Sequence, residues 1–114
     1  MSDARRALGA RGEELAARWY AERGYEVVAR NWRCRHGEID IVAARGPVLV
    51  VCEVKTRSSD AFGTPAAAVT PAKQRRLRRL ALTWLEVHSV RGRQLRFDVA
   101  AVVGETVTVI EGAF

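Results

Sequence analysis

Two short apolar runs that carry acidic side chains, joined by a tight turn, constrain this chain more than any other feature. Gly37-Glu38-Ile39-Asp40-Ile41-Val42-Ala43 and Val48-Leu49-Val50-Val51-Cys52-Glu53-Val54-Lys55 have the length and β-branched content of strands, and Arg45-Gly46-Pro47 between them has turn chemistry. A reversal near Gly46 makes an antiparallel hairpin in which positions summing to roughly 93 face each other, so Asp40 lands beside Glu53. Side chains alternate along a strand, which sends Glu53 and Lys55 to one face and Cys52 and Val54 to the other. The pattern predicts a single cluster of Asp40, Glu53 and Lys55.

Electrostatics narrows what such a cluster can be. Two carboxylates about 4 Å apart repel by roughly 4 kcal/mol at an effective dielectric of about 20, and by more in a dry site. One lysine does not cancel two acids, so one carboxyl holds a proton, solvent reaches the pair, or a divalent cation lies between them. Oxygen donors without a nearby His or Cys partner point to a hard ion, Mg2+ or Mn2+. The competing reading is an ordinary cross-strand ion pair at a sheet edge. The apolar run around Glu53 argues against an edge.

The rest of the chain suits a single domain, 1–114, large enough to bury roughly two thirds of its unfolded surface. A net charge of +6 with 48% hydrophobic residues describes a folded basic domain and excludes a disordered tail. Such a surface suits phosphate, though it also serves plain solubility. Cys34, expected in a loop, and Cys52, expected to be buried, form no paired-thiol motif and fit a reducing cytoplasm. His36 and His88 are too few and too scattered for a zinc site. No stretch resembles a signal peptide or reaches the roughly 18 apolar residues of a membrane span, so no membrane partner is expected.

Periodicity supplies the remaining elements. A helix from Asp3 to Arg23 ends at Gly24, and a first strand covers Tyr25 to Arg30, followed by an irregular stretch from Asn31 to His36. After a loop from Thr56 to Val69, Thr70 caps a helix with Pro71 in its first turn that runs to His88; Leu95 to Val103 and Thr106 to Glu111 then close a hairpin at Gly104-Glu105. On the first helix Leu8, Gly12, Leu15, Ala16, Trp19 and Tyr20 share a face. Glu13 lies at its margin, able to lean inward or to stay solvated, whereas Glu14 faces Arg18 as an i,i+4 partner.

On the second helix Leu77, Leu80, Ala81, Trp84, Leu85 and His88 make an apolar stripe that Lys73 and Gln74 extend into the first turn. Those two would look back toward the sheet and its carboxylates, or snorkel to solvent. Arg75, Arg78 and Arg79 point outward or sideways and Arg76 lies on another flank, set to hold a nucleic-acid backbone or simply to be solvated. Asp98, between Phe97 and Val99, reads as a partner for Arg96 or another basic group. Trp19, Trp32 and Trp84 read as core or loop anchors.

The order of an acid, Gly-x-Ile-Asp and Glu-x-Lys resembles the PD-(D/E)XK nuclease superfamily. Nearly the whole chain is similar to one branch, the YraN-type family of proposed bacterial endonucleases, which resemble Holliday-junction resolvases. The matching elements are Gly9-Ala10-Arg11-Gly12-Glu13, Arg30-Asn31-Trp32-Arg33, Gly37-Glu38-Ile39-Asp40, Glu53-Val54-Lys55-Thr56-Arg57, Lys73, Arg76-Leu77, Arg96-Phe97-Asp98-Val99 and Ala113-Phe114. Cys52 departs from the pattern, where the branch more often has Val.

The resemblance implies an α/β, restriction-endonuclease-like core: a central mixed five-stranded sheet flanked by helices, in the order α-β-β-β-α-β-β. It also implies a Mg2+-dependent endonuclease (Mn2+ substituting) that hydrolyses phosphodiester bonds in DNA, in branched or recombining structures. Glu13, Asp40, Glu53 and Lys55 would be catalytic. Asp40, Glu53, the Val54 carbonyl and Glu13, the last through water, would hold metal. Arg57, Lys73, Gln74, Arg75, Arg76 and Arg79 would bind nucleic acid, with Arg57 and the segment Ser58 to Thr64 bordering the site. A homodimer would present two sites to two strands. A binding module that makes no cut, and an activity on RNA, remain as alternatives.

Overall fold

The computed structural model describes residues 3–57 and 69–114. Its elements are α1 (Asp3–Glu22), β1 (Glu26–Cys34), β2 (Gly37–Arg45), β3 (Val48–Arg57), α2 (Pro71–Val87), β4 (Gln94–Val103) and β5 (Thr106–Ile110). The strands form one sheet in the order β1-β2-β3-β4-β5. Only β3 and β4 pair in parallel, because the chain between them includes α2 and crosses over the sheet; the other neighbours are antiparallel. The architecture is the mixed five-stranded α/β sheet flanked by helices, in the order α-β-β-β-α-β-β, that the resemblance implies.

Each face of the sheet buries one helix. Leu15, Ala16, Ala17 and Tyr20 of α1 pack with Ile41, Ala43, Val50, Cys52, Ala100 and Val102 on one side. Leu77, Leu80, Ala81 and Trp84 of α2 pack with Val42, Leu49, Val51, Phe97 and Val99 on the other. The small residues of α1 let it lie close to the strands, and Gly12 marks a close approach: a Cβ there would collide with the Thr56 side chain. Gly24 ends α1 in the left-handed region at φ +83, as its position after the last helical turn requires. Thr70 caps α2, its hydroxyl accepting the Lys73 N–H at 3.3 Å, with Pro71 at the helix start.

The buried charge of β4 is structural. Asp98 is fully buried, and its carboxylate accepts hydrogen bonds from Tyr20 Oη (2.6 Å), Arg96 Nε and Nη2 (2.9 and 3.0 Å) and the Gly112 N–H (3.0 Å). Arg96 Nη2 also donates to Tyr25 Oη at 2.9 Å. Four donors to one carboxylate make the burial tolerable and tie α1, β4 and the C-terminal turn together.

Strand β1 departs from the sequence expectation. It does not stop at Arg30 but runs to Cys34, so Cys34 ends a strand instead of lying in a loop. Asn31 allows this by taking φ +51, a region Asn tolerates better than most side chains, and the ladder to β2 continues past it from Arg30↔Ile41 to Trp32↔Ile39. His88, expected in the packed stripe, is the exposed C-cap of α2 with its ring stacked on Trp84 at 4.3 Å. Among the described residues no helix is long and apolar enough to cross a membrane.

Candidate functional site

The hairpin register predicted from the turn is the one observed: Ile41 pairs with Cys52 and Arg45 with Val48. Beyond Ile41 the backbone ladder between β2 and β3 ends, and the Asp40 side chain takes over, its Oδ2 accepting the Val54 N–H at 2.8 Å. Ile41 packs on the α1 side of the sheet while Ile39, two residues earlier, packs on the α2 side. Side-chain alternation therefore breaks at Asp40, directly across from the left-handed Asn31. Asp40 lines two cavities, one against α2 and one that also includes residues of α1, and Glu53 lines both with it.

Glu53 and Lys55 behave as strand alternation requires, with Cys52 and Val54 turned into the α1-side core. Lys55 Nζ lies 3.7 Å from Glu53 Oε1, and Lys73 Nζ, reaching across from the first turn of α2, lies 3.8 Å from the same oxygen. A cavity of about 170 Å³ on the α2 side is lined by Glu38, Asp40, Glu53, Lys73, Arg76, Leu77 and Leu80. A second, of about 330 Å³, includes Arg5, Glu13, Asp40, Glu53, Val54, Lys55 and Thr56. Glu13 is half buried there, leaning inward as the margin of its helix allows, and the close approach of Gly12 to Thr56 carries it to β3. Glu14 instead pairs outward with Arg30 at 2.9 Å and with its expected partner Arg18 at 3.6 Å.

The charges in this setting perturb one another. Burial, then repulsion from Glu53, pushes the Asp40 carboxyl up to about 7, against the opposing pull of the Val54 N–H; Glu13 and Glu38 add to the rise. Lys55 is held below the usual lysine range, first by burial and then by its neighbour Lys73, with Glu53 acting the other way. Asp40 is thus a carboxyl that stays partly protonated near neutrality unless a cation arrives beside it.

The donor set is two carboxylates, with a third standing back. Among the described residues no three Asp, Glu, His or Cys side chains converge tightly enough to hold a metal by themselves. Asp40 and Glu53 are the close acids, and Glu13 lines the same cavity at longer range. Oxygen donors of this kind, with the Val54 main chain beside them, fit a hard divalent ion that keeps several of its waters.

The residues expected to meet nucleic acid divide. Lys73 looks back to the carboxylates, and Arg76 lines the α2-side cavity. Arg75 and Arg79 are exposed on α2. Arg57 is the half-buried last residue of β3. Gln74 does not join the carboxylates: its Nε2 donates to the Val69 carbonyl at 3.1 Å and braces the entry to α2. Arg78 is taken up by stacking over Phe97 at 4.9 Å. The expected role of Ser58 to Thr64 lies outside the described residues. Glu38 is the lining acid that sequence reasoning passes over; its position two residues before Asp40 is the available signal.

Residues 12–102 match the profile of the uncharacterised protein family UPF0102. The chain belongs to this family. A family member from Rhodococcus opacus is 55% identical over 97 residues, covering 85% of this chain and 82% of the relative. One from Streptomyces griseus is 63% identical over 86 residues, covering 75% and 72%. A third, from Acidothermus cellulolyticus, is 47% identical and covers 99% of this chain and 97% of its own length. This is the YraN-like grouping that the motifs resemble, and the relatives' names carry no activity.

Proposed function

We propose that the protein is a metal-dependent nuclease that hydrolyses phosphodiester bonds in DNA. One observation carries the reading: Asp40 and Glu53, partly buried and unfavourable to each other, sit beside Lys55 at the end of a hairpin and at the rim of a basic helix. Two crowded acids are costly in an empty site and suited to a cation. Asp40, Glu53 and the Val54 carbonyl would hold Mg2+, or Mn2+ in its place, with Glu13 acting through water. When bound, the ion supplies a Lewis acid at a phosphoryl oxygen and a more acidic water.

The chain's own groups do the rest. The Val54 N–H fixes one oxygen of Asp40 and thereby aims the other. Lys55, held by Glu53 and shielded from bulk water, orients the attacking water or meets the charge developing on the phosphate. Arg76 at the cavity mouth, with Arg75 and Arg79 on the exposed face of α2, would follow the strand backbone, and Arg57 would border its path. Branched DNA would bring two strands to two sites of a homodimer. Both thiols are unpaired, in keeping with the cytoplasm as the site of action.

The second reading, a binding module that makes no cut, draws on the absence of a three-ligand cage among the described residues. Purified protein incubated with supercoiled, single-stranded and four-way-junction DNA and with structured RNA, in Mg2+, Mn2+ or chelator, separates the two. Metal-dependent cleavage that falls roughly a hundredfold or more in Asp40→Asn and Lys55→Ala is the expected result. Cleavage that persists in those variants marks a contaminant and ends the enzyme reading. Binding with no cleavage of any substrate favours the module.

A further inference from the structure

Lys73 stands where helix stability argues against a cation. Thr70 is the N-cap of α2 and Pro71 its first residue, so Lys73 is the third helical position. After a Thr cap that position is where Glu or Gln closes a capping box, and the positive end of the helix dipole disfavours an ammonium group. The first turn of α2 contains no acid to compensate. The compensation comes from β3: Lys73 Nζ lies 3.8 Å from Glu53 Oε1, the oxygen that Lys55 Nζ already approaches at 3.7 Å. Asp40, by contrast, is held by the Val54 N–H at 2.8 Å.

One carboxylate oxygen is therefore shared by two lysines of different standing. Lys55 belongs to the same strand as Glu53, two residues away on the same face. Lys73 comes from another element on a flexible four-carbon stem, at the wall of the α2-side cavity that Arg76 also lines. A phosphate entering that cavity would find Lys73, more exposed than Glu53, and Arg76 on its wall. While Lys73 remains on Glu53, its charge opposes a divalent cation at the Asp40–Glu53 pair.

We infer that Lys73 is a positioning residue exchanged between Glu53 and the substrate phosphodiester. An incoming phosphate draws Lys73 off Glu53, the carboxylate pair becomes a better cation site, and nucleic acid and cation bind with positive cooperativity. The inference rests on the proposed function of the same site and adds the order of events within it. By linkage the coupling is reciprocal, so cation also tightens nucleic-acid binding by the same factor.

The test is Mn2+ binding followed by electron paramagnetic resonance, with and without an oligothymidylate carrying phosphorothioate linkages, for wild type, Lys73→Gln and Lys73→Arg. Urea unfolding checks each fold; Lys73→Gln removes a cation from the positive end of α2, so the helix should hold. For wild type, the oligonucleotide should tighten Mn2+ binding by roughly tenfold or more. Lys73→Gln should bind Mn2+ alone roughly fivefold more tightly than wild type and lose a similar factor of the oligonucleotide effect. Lys73→Arg should keep the wild-type coupling. Wild-type Mn2+ binding that Lys73→Gln leaves unchanged or weakens overturns this inference and spares the proposed function. No Mn2+ binding to wild type under either condition removes both.

Discussion

Replacing Asp40 with Asn should stabilise the cation-free protein, and the gain should depend on pH in a defined way. A carboxyl that titrates at about 7 in the folded chain and at 3.8 when unperturbed is destabilising once ionised. The fold binds that proton more tightly than the unfolded chain does, so the cost is absent below the unfolded value, accumulates between pH 4 and 7, and is complete above 7. At about 1.4 kcal/mol per tenfold change in proton affinity, the full cost approaches roughly 4 kcal/mol as an upper limit. Asn keeps the shape and an oxygen able to accept the Val54 N–H, and it removes the charge that Glu53 repels. Urea unfolding in chelator at pH 4, 6 and 8 measures the difference. The variant should match wild type to within about 1 kcal/mol at pH 4 and exceed it by roughly 2–4 kcal/mol at pH 8. Adding Mg2+ at pH 8 should raise wild type and leave the variant unmoved. A variant no more stable than wild type at pH 8, or a gap that does not change with pH, would refute the view that burial and Glu53 hold Asp40 against its preference.

Three further outcomes follow from the packing and the surface. Gly12→Ala should cost roughly 1–3 kcal/mol in urea unfolding, because its Cβ would collide with the Thr56 side chain, and Thr56→Ala in the same chain should recover part of the loss. Asp98→Ala leaves Arg96 without its buried partner and Tyr20 without its acceptor, so a loss of roughly 3–5 kcal/mol is expected; a loss under about 1 kcal/mol would show the network to be dispensable. Replacing Arg75 and Arg79 with Ala should flatten the dependence of log affinity for duplex DNA on log salt by roughly 0.9 for each phosphate no longer neutralised, and an unchanged slope would show that neither touches the backbone.

The site-bearing hairpin is legible in the sequence because a turn at Gly46-Pro47 and side-chain alternation together fix a register, and Ile41 does face Cys52. The second helix is legible for a similar reason: Thr70, Pro71 and the stripe from Leu77 to Trp84 specify both its start and its buried face. What alternation hides is its own failure. Nothing in the residue types around Asp40 announces that Ile39 and Ile41 lie on opposite sides of the sheet, across the ladder from the left-handed backbone of Asn31. The same backbone turn carries β1 on to Cys34. The direction of Gln74 is not legible because its helical position allows either, and the nearby Val69 carbonyl decides it. Periodicity places Gly12 on the inner face, but its approach to Thr56 is a property of how two elements dock.

Calorimetric titration of Mg2+ at pH 6, repeated in buffers of different ionisation enthalpy, tests most directly whether Asp40 and Glu53 act together as one cation site. One ion per chain, release of close to one proton as Asp40 ionises, and loss of the binding in both Asp40→Asn and Glu53→Gln are the expected results. Mg2+ binding that survives both substitutions, or that releases no proton, would contradict a shared cation site.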